Sequence, residues 1–318
     1  MKIREEKLPL PRPTPRHLLC LSHLGVEEIL EILALAEELK SQGRSHGPLL
    51  AGRCFGMLFR KPSTRTRVSF AAACAQLGAQ AVSLDPAELQ LSRGETLADT
   101  ARVLSRYLDG ILIRTFAQEE VEELARHSSI PVINGLTDAV HPTQALADLL
   151  TIREEFGRLK GLTLAYVGDG NNVAHSLLQA AGRLGMHFRG AFPPGYEPRP
   201  AYVEEALLAA RRSGGSVTLT SSPPEAVEGA HVVYTDVWAS MGQEKDREER
   251  LAAFCGFRVT PELLQLAHPE AIFLHCLPAH REEEVSSEVL DGPRSRVWEQ
   301  AENRLHVFKG ILLWVSKI

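Results

Sequence analysis

A chain of 318 residues, 44% hydrophobic and 24% charged, has the size of about two ordinary globular domains. Its net charge of −5 argues against general nucleic-acid binding, although a local basic pocket remains possible. Five scattered cysteines with no Cys-x-x-Cys pair make no disulfide framework and suit a reducing cytoplasm, and no apolar run approaches the roughly 20 residues of a membrane span.

Prolines at 9, 11, 13 and 15 break any signal-peptide core and predict an extended N-terminal arm. The first clear helix pattern runs from about Val26 to Lys40, with Ile29, Ile32, Leu33 and Ala36 on one face. Short β-branched apolar runs then alternate with amphipathic stretches. Four strand candidates come first, at 54–59, 80–84, 110–114 and 131–133. Five follow, at 162–168, 187–192, 216–220, 231–235 and 271–276. Strands alternating with helices of this length indicate α/β architecture with mainly parallel sheets. Two groups of strands predict two domains, about 1–145 and 146–300, joined by a helix over 142–156. A last helix is expected over about 301–315. Ligands in such sheets bind beyond the C-terminal strand ends, so the cleft between the domains is the expected site.

Residues 63–67 read Ser63-Thr64-Arg65-Thr66-Arg67, between a strand candidate and a helix candidate. A helix N-terminus presents unpaired N–H groups and a positive dipole end, which attract anions. Ser63, Thr64 and Thr66 add hydroxyls, and Arg65 and Arg67 add planar forks that grip phosphate at two oxygens. An ordinary capped helix is the plainer alternative. Arginines in a first turn oppose the dipole, however, unless an anion neutralises them.

Further candidates follow along the chain. Arg114 ends the run Gly110-Ile111-Leu112-Ile113, where a charge at a buried strand end can face a ligand or make a surface salt bridge. His141-Pro142-Thr143-Gln144 opens the joining helix, with proline suited to the first position. His141 at a helix start should favour its neutral form, able to donate one N–H to a carbonyl oxygen. The turn Gly168-Asp169-Gly170-Asn171-Asn172 invites a dinucleotide-binding reading. That reading is weak: no third glycine follows, and no acidic residue ends the next strand. Asp236 follows the strand candidate at 231–235, and Ser240-Met241-Gly242 lies just beyond. His275-Cys276-Leu277-Pro278 ends the last strand candidate. It admits a packing cysteine, a nucleophile or half a metal site, although no nearby residue completes tetrahedral spacing.

Taken in order, Ser63-Thr64-Arg65-Thr66-Arg67, His141-Pro142-Thr143-Gln144, Ser240-Met241-Gly242, His275-Cys276-Leu277-Pro278 and Ala301-Glu302-Asn303-Arg304 resemble the motifs of the aspartate/ornithine carbamoyltransferase family. The resemblance spans nearly the whole chain from about residue 17. It implies that Ser63, Thr64, Arg65, Thr66, Gln90, Arg114, His141, Gln144, Cys276, Leu277 and Arg304 bind carbamoyl phosphate. Gln90 would do so by reaching across a trimer interface into a neighbouring site. The resemblance also implies a returning final helix and a cis Leu277–Pro278 bond. Asn172, Asp236, Ser240 and Met241 would bind the acceptor amino acid. Ser-Met-Gly marks the ornithine branch, and the physics agrees. Aspartate would need cationic partners, and no arginine stands between Val233 and Gln243.

The implied chemistry is direct attack of a neutral side-chain amine on carbamoyl phosphate, giving citrulline and phosphate without cofactor or metal. Arg114, His141 and Thr66 would stabilise the oxyanion, and Cys276 or the leaving phosphate would accept the proton. The expected partners are these two small molecules and further copies of the chain in a homotrimer, with neither nucleic acid nor membrane. Arg60 and Ala71 replace glutamates common near the first motif, and Glu283, Phe308 and Gly310 are further departures. Arg60 is expected to add charge near the phosphate site.

Overall fold

The computed structural model describes residues 15–43, 47–239 and 247–317. The proline-rich stretch from Pro9 to Pro13 and the Ser240-Met241-Gly242 motif lie outside the described residues. The first sheet contains β1 (Cys54–Phe59), β2 (Gln80–Leu84), β3 (Gly110–Arg114) and β4 (Val132–Leu136), in the order β2-β1-β3-β4. The second contains β5 (Thr163–Val167), β6 (His187–Ala191), β7 (Ser216–Thr220), β8 (Val232–Thr235) and β9 (Ile272–His275), in the order β7-β6-β5-β8-β9. Every strand pair is parallel.

Central strands are buried on both faces, as a parallel sheet covered by helices requires. β3 and β5 are buried at every position, whereas the edge strands β2 and β7 are largely exposed or half-buried. β4 runs three residues beyond its expected end. Asn134 and Gly135 have low strand propensity and hide it in the sequence. Here Asn134 donates to Leu19 O at 2.8 Å, and a Cβ on Gly135 would lie 3.2 Å from Ile113 O.

Each sheet reverses its direction of growth once. From β1 the chain steps out to β2 and then back to β3; from β5 it steps out through β6 and β7 and then back to β8. Such reversals open a crevice beyond the strand ends. The Ser63–Arg67 segment follows β1, Arg114 ends β3, Asp169–Asn172 follows β5 and Asp236 follows β8. Both crevices therefore carry sequence-marked residues.

The joining helix, Pro142–Phe156, is buried along eleven of its residues and stops at Gly157, whose φ of 68° suits a glycine C-cap. The final helix, Val297–Ser316, starts four residues earlier than expected. It packs against the helices Val26–Ser41, Thr64–Gln76 and Pro142–Phe156, so the C-terminus does return to the first sheet's layer. Two departures from the family pattern acquire a packing reason in this helix. Phe308 meets Phe70 edge-on at 5.3 Å. Gly310 allows a close crossing, because a Cβ there would sit 2.6 Å from Ile32 O. Among the described residues, no helix is long and apolar enough to cross a membrane.

Candidate active site

A cleft of about 1020 Å³ collects side chains from the C-terminal strand ends of both sheets. Helix Thr64–Gln76 opens on its first-sheet side. Ser63 is the N-cap, its hydroxyl accepting from Thr66 N at 3.2 Å, and the first turn holds no acidic residue. The capped-helix reading and the anion-cradle reading thus describe the same turn. Ser63, Thr64, Arg65 and Thr66 line the cleft. Arg67 does not: it donates to Ser83 Oγ at 2.7 Å and stacks over Phe59. Two residues on a helix differ by about 200° in direction, so Arg65 and Arg67 cannot both face the same anion. Arg60 is likewise removed from the expected role, since it pairs with Glu120 and its charge is neutralised there.

Arg114 comes from the end of β3, beside Phe59 of β1, and Arg304 comes from the final helix. Arg304 donates to Thr66 Oγ1 at 3.0 Å and to Gln144 Oε1. Burial holds Arg114 down to about 10, helped by the charges of Arg304 and Arg65. Burial also holds Arg304 down to about 10, with Asp148 and Cys276 opposing the shift. Both guanidinium groups stay charged at neutral pH. Their Nε atoms are buried without a hydrogen-bond partner. Converging cations with unused donors are unfavourable alone and complementary to a dianion.

His141 stands at the start of the joining helix, its backbone N–H donating to Ser176 Oγ at 2.7 Å. Its pKa lies well below 6.5, in the direction expected from the sequence. The cause differs: burial dominates, followed by the charges of Arg304, Arg114 and Arg65. A neutral imidazole therefore faces the arginine cluster.

The second-sheet side is acidic and its hydrogen bonds are largely made. Asp236 accepts from Cys276 Sγ at 3.0 Å, from Asn171 Nδ2 at 2.8 Å and from Val237 N at 2.8 Å. Burial, then Asp236, pushes the Cys276 thiol well above its ordinary value. It is a thiol and not a thiolate, so it is neither nucleophile nor base in this state. Asn172 lines the cleft and donates to Thr137 O at 2.6 Å. Leu277–Pro278 is cis, and Leu277 N donates to His275 Nδ1 at 2.9 Å.

The two alternatives raised by the sequence can be tested on this geometry. A dinucleotide needs an open glycine turn after β5. A Cβ on Gly170 would instead lie 2.2 Å from Pro198 N, so this glycine admits neighbouring backbone and no pyrophosphate. A metal on Asp236, His275 and Cys276 needs a free imidazole nitrogen. His275 Nδ1 accepts from Leu277 N, and Nε2 pairs with buried Glu284 at 3.1 Å, so both nitrogens are engaged.

Of the sequence-marked residues, Ser63, Thr64, Arg65, Thr66, Arg114, His141, Gln144, Asn172, Asp236, Cys276, Leu277 and Arg304 meet in this cleft. Gln90 does not; it is exposed at the start of a short 3-10 turn, Gln90–Arg93, outside the cleft lining. Ser240 and Met241 lie outside the described residues. Three features escaped the sequence reading. Lys61, buried beside the first motif, pairs with Asp138 and stacks on Phe116 at 4.5 Å. Arg250 pairs with Asp169 at 3.2 Å, and Asn171 steers Asp236. Lys61 and Asn171 each adjoin a recognised motif, which was the available signal; Arg250 had none.

The description "Aspartate/ornithine carbamoyltransferase, carbamoyl-P binding domain" matches residues 16–154, and "Aspartate/ornithine carbamoyltransferase, Asp/Orn binding domain" matches residues 160–315. The chain belongs to the aspartate/ornithine carbamoyltransferase family. Within this family it is 57% identical to the ornithine carbamoyltransferase of Symbiobacterium thermophilum over 287 residues, 90% of this chain and 92% of that one. It is 55% identical to the ornithine carbamoyltransferase of Bacillus subtilis over 297 residues, 93% and 92% of the two chains. The solved structure of ornithine carbamoyltransferase from Pyrococcus furiosus superposes with a TM-score of 0.91 at 51% identity, covering 96% of this chain and 98% of that one.

Proposed function

We propose that this carbamoyltransferase-family chain moves the carbamoyl group of carbamoyl phosphate to the side-chain amine of L-ornithine, giving L-citrulline and phosphate. The observation that carries this reading is the pairing of two unlike walls. Arg65, Arg114 and Arg304 converge, the last two with unused buried donors, opposite an acidic wall at Asp236. The first wall suits a phosphate dianion; the second suits an ammonium. The names of the relatives select ornithine among amines.

In this mechanism the arginines, Ser63, Thr64 and Thr66 hold the phosphate, while Gln144 orients Arg304. The amine nitrogen bonds to the carbamoyl carbon, and the carbon–oxygen bond to phosphate breaks. Charge developing on the carbamoyl oxygen meets Arg114, neutral His141 and Thr66. A free alkylammonium has a pKa of about 10.4, so the amine must be made neutral. Desolvation and the nearby arginines both disfavour the ammonium form. The first proton is given up to solvent as the ammonium becomes a neutral amine. Since Cys276 is a protonated thiol, the leaving phosphate takes the second, released from the attacking nitrogen as the carbon–nitrogen bond forms. Asp236 pairs with the α-ammonium and Asn172 contacts the acceptor amino acid, with Ser240 and Met241 completing the acceptor site.

The working unit in this reading is a homotrimer in which Gln90 serves a neighbour's site. The exposure of Gln90 outside its own cleft supports it, as do the exposed Val68, Val103 and Tyr107. The deciding assay offers ornithine, putrescine, acetylornithine and aspartate separately with carbamoyl phosphate. Citrulline from ornithine alone is the expected result. Turnover with a different amine alone would retain the anion site and overturn the acceptor assignment.

A further inference from the structure

Behind the cleft lies a buried polar ladder of which the catalytic reading uses only the end at Arg304 and Gln144. Gln144 and Asp148 sit one turn apart on the joining helix, and Gln300 and Arg304 sit one turn apart on the final helix. The first rung is the bond from Arg304 to Gln144 Oε1. The second is Gln300 Nε2 to Asp148 Oδ1 at 2.7 Å. Gln144 Nε2 closes one side onto the same Asp148 oxygen at 2.8 Å. Tyr234 of β8 donates to Asp148 Oδ2 at 3.2 Å and accepts from Gln300 Nε2 at 3.1 Å. The Gln300 carbonyl oxygen accepts from His275 N at 3.0 Å. Gln144, Asp148, Tyr234, His275, Gln300 and Arg304 are all buried.

One end of the ladder is thus Arg304 with Thr66, in the anion pocket. The other is the backbone of His275, whose ring holds Leu277 N beside Cys276. Side-chain amides can face either way, but this one has a single satisfying orientation. Turned over, Gln300 would present its carbonyl oxygen to the Asp148 carboxylate and an N–H to the N–H of His275. Asp148 accepts three hydrogen bonds and donates none, so the network is complete when the carboxylate is ionised. A buried network of this kind holds a unique arrangement only while every member is satisfied.

We propose that Gln300 and Asp148 are positioning residues that couple the two substrate sites: an anion on Arg304 is sensed through the ladder at the His275–Leu277 loop, which sets affinity for the acceptor amino acid. The proposal rests on the carbamoyl-transfer reading and adds the residues that link its two half-sites. Neither residue lines the cleft. Their removal therefore changes the coupling more than either intrinsic affinity. Coupling between two ligands is reciprocal and is read as one affinity ratio.

The test uses the full chain and two unreactive probes, phosphonoacetamide for carbamoyl phosphate and L-norvaline for the acceptor. Calorimetry gives the norvaline Kd with and without saturating phosphonoacetamide, for wild type, Q300L and Q300E. Q300E keeps an oxygen for His275 N but places a second acceptor against Asp148. It also serves if Q300L does not fold. For wild type the expected ratio of the two Kd values is tenfold or more, a typical coupling strength. For either variant the ratio falls at least fivefold, while phosphonoacetamide alone binds within about threefold of wild type. A merely structural Gln300 would lower the melting temperature and leave the ratio unchanged, which would overturn the proposal. So would a wild-type ratio near one. Wild type that binds neither probe would instead overturn the carbamoyl-transfer reading on which the ladder's role depends.

Discussion

On the first-sheet wall of the cleft, Arg65, Arg114 and Arg304 bring like charges together, and two of them keep buried nitrogens unpartnered. On the second-sheet wall, Asp236 already accepts three hydrogen bonds from Cys276, Asn171 and Val237. The first wall is preorganised at a cost, because buried repulsion and unmade bonds are offset only when a dianion arrives. The second is relaxed in the free protein, and the acceptor must exchange for bonds that exist. Strong sites for multivalent anions therefore show as unsatisfied cations, whereas sites for a zwitterionic amino acid are harder to tell from ordinary structure.

The comparison can be broken most severely at Arg114. In the proposed mechanism Arg114 serves both phosphate and oxyanion, so Arg114→Leu should lower kcat/KM by about 10² to 10³. A loss under threefold would remove Arg114 from the anion wall. On the opposite wall, Asp236→Asn should raise KM for ornithine by about 10- to 100-fold, as loss of a charge-assisted bond does. Phosphonoacetamide affinity should stay within about threefold. A matching loss of anion affinity would mean that the two walls are not separate sites.

A smaller effect is expected behind the second wall. Gly170→Ala would push a methyl against Pro198 and Glu197 backbone and should destabilise the fold by about 1–3 kcal/mol in urea titrations. No change would mean that the turn is open enough to admit a ligand. An effect of similar size concerns pH. Burial raises Asp148 to about 7, opposed by bonds from Gln144, Gln300 and Tyr234 and by the charge of Arg304. A carboxyl raised above its unfolded value of about 3.9 binds a proton more tightly in the folded state. Its contribution to stability is full below about pH 4 and is lost as pH rises towards about 7. Asp148→Asn lacks this titration, so urea midpoints of variant and wild type should shift in the variant's favour between pH 5 and pH 8. A constant difference would show that Asp148 keeps one charge state across that window.

Much of this protein is local enough to read in the chain. β1, β2, β3 and the joining helix begin and end where apolar runs, Pro142 and Gly157 place them, because strand patterning and helix capping depend on near neighbours. The ordered motifs located most of the cleft for the same reason: those at 63–67, 141–144 and 275–278 each follow or close one strand, and the one at 301–304 lies in one helix. Tertiary structure decided what depends on distant segments. It turned Arg65 into the cleft and Arg67 onto Phe59, and it neutralised Arg60 on Glu120. It made burial among arginines, and not the helix start, the main cause of the depressed His141. It also joined Gln300 to Asp148 across 152 positions of sequence. Periodicity and capping are encoded within a few residues, whereas charge environment and buried hydrogen bonding exist only once separate segments pack together.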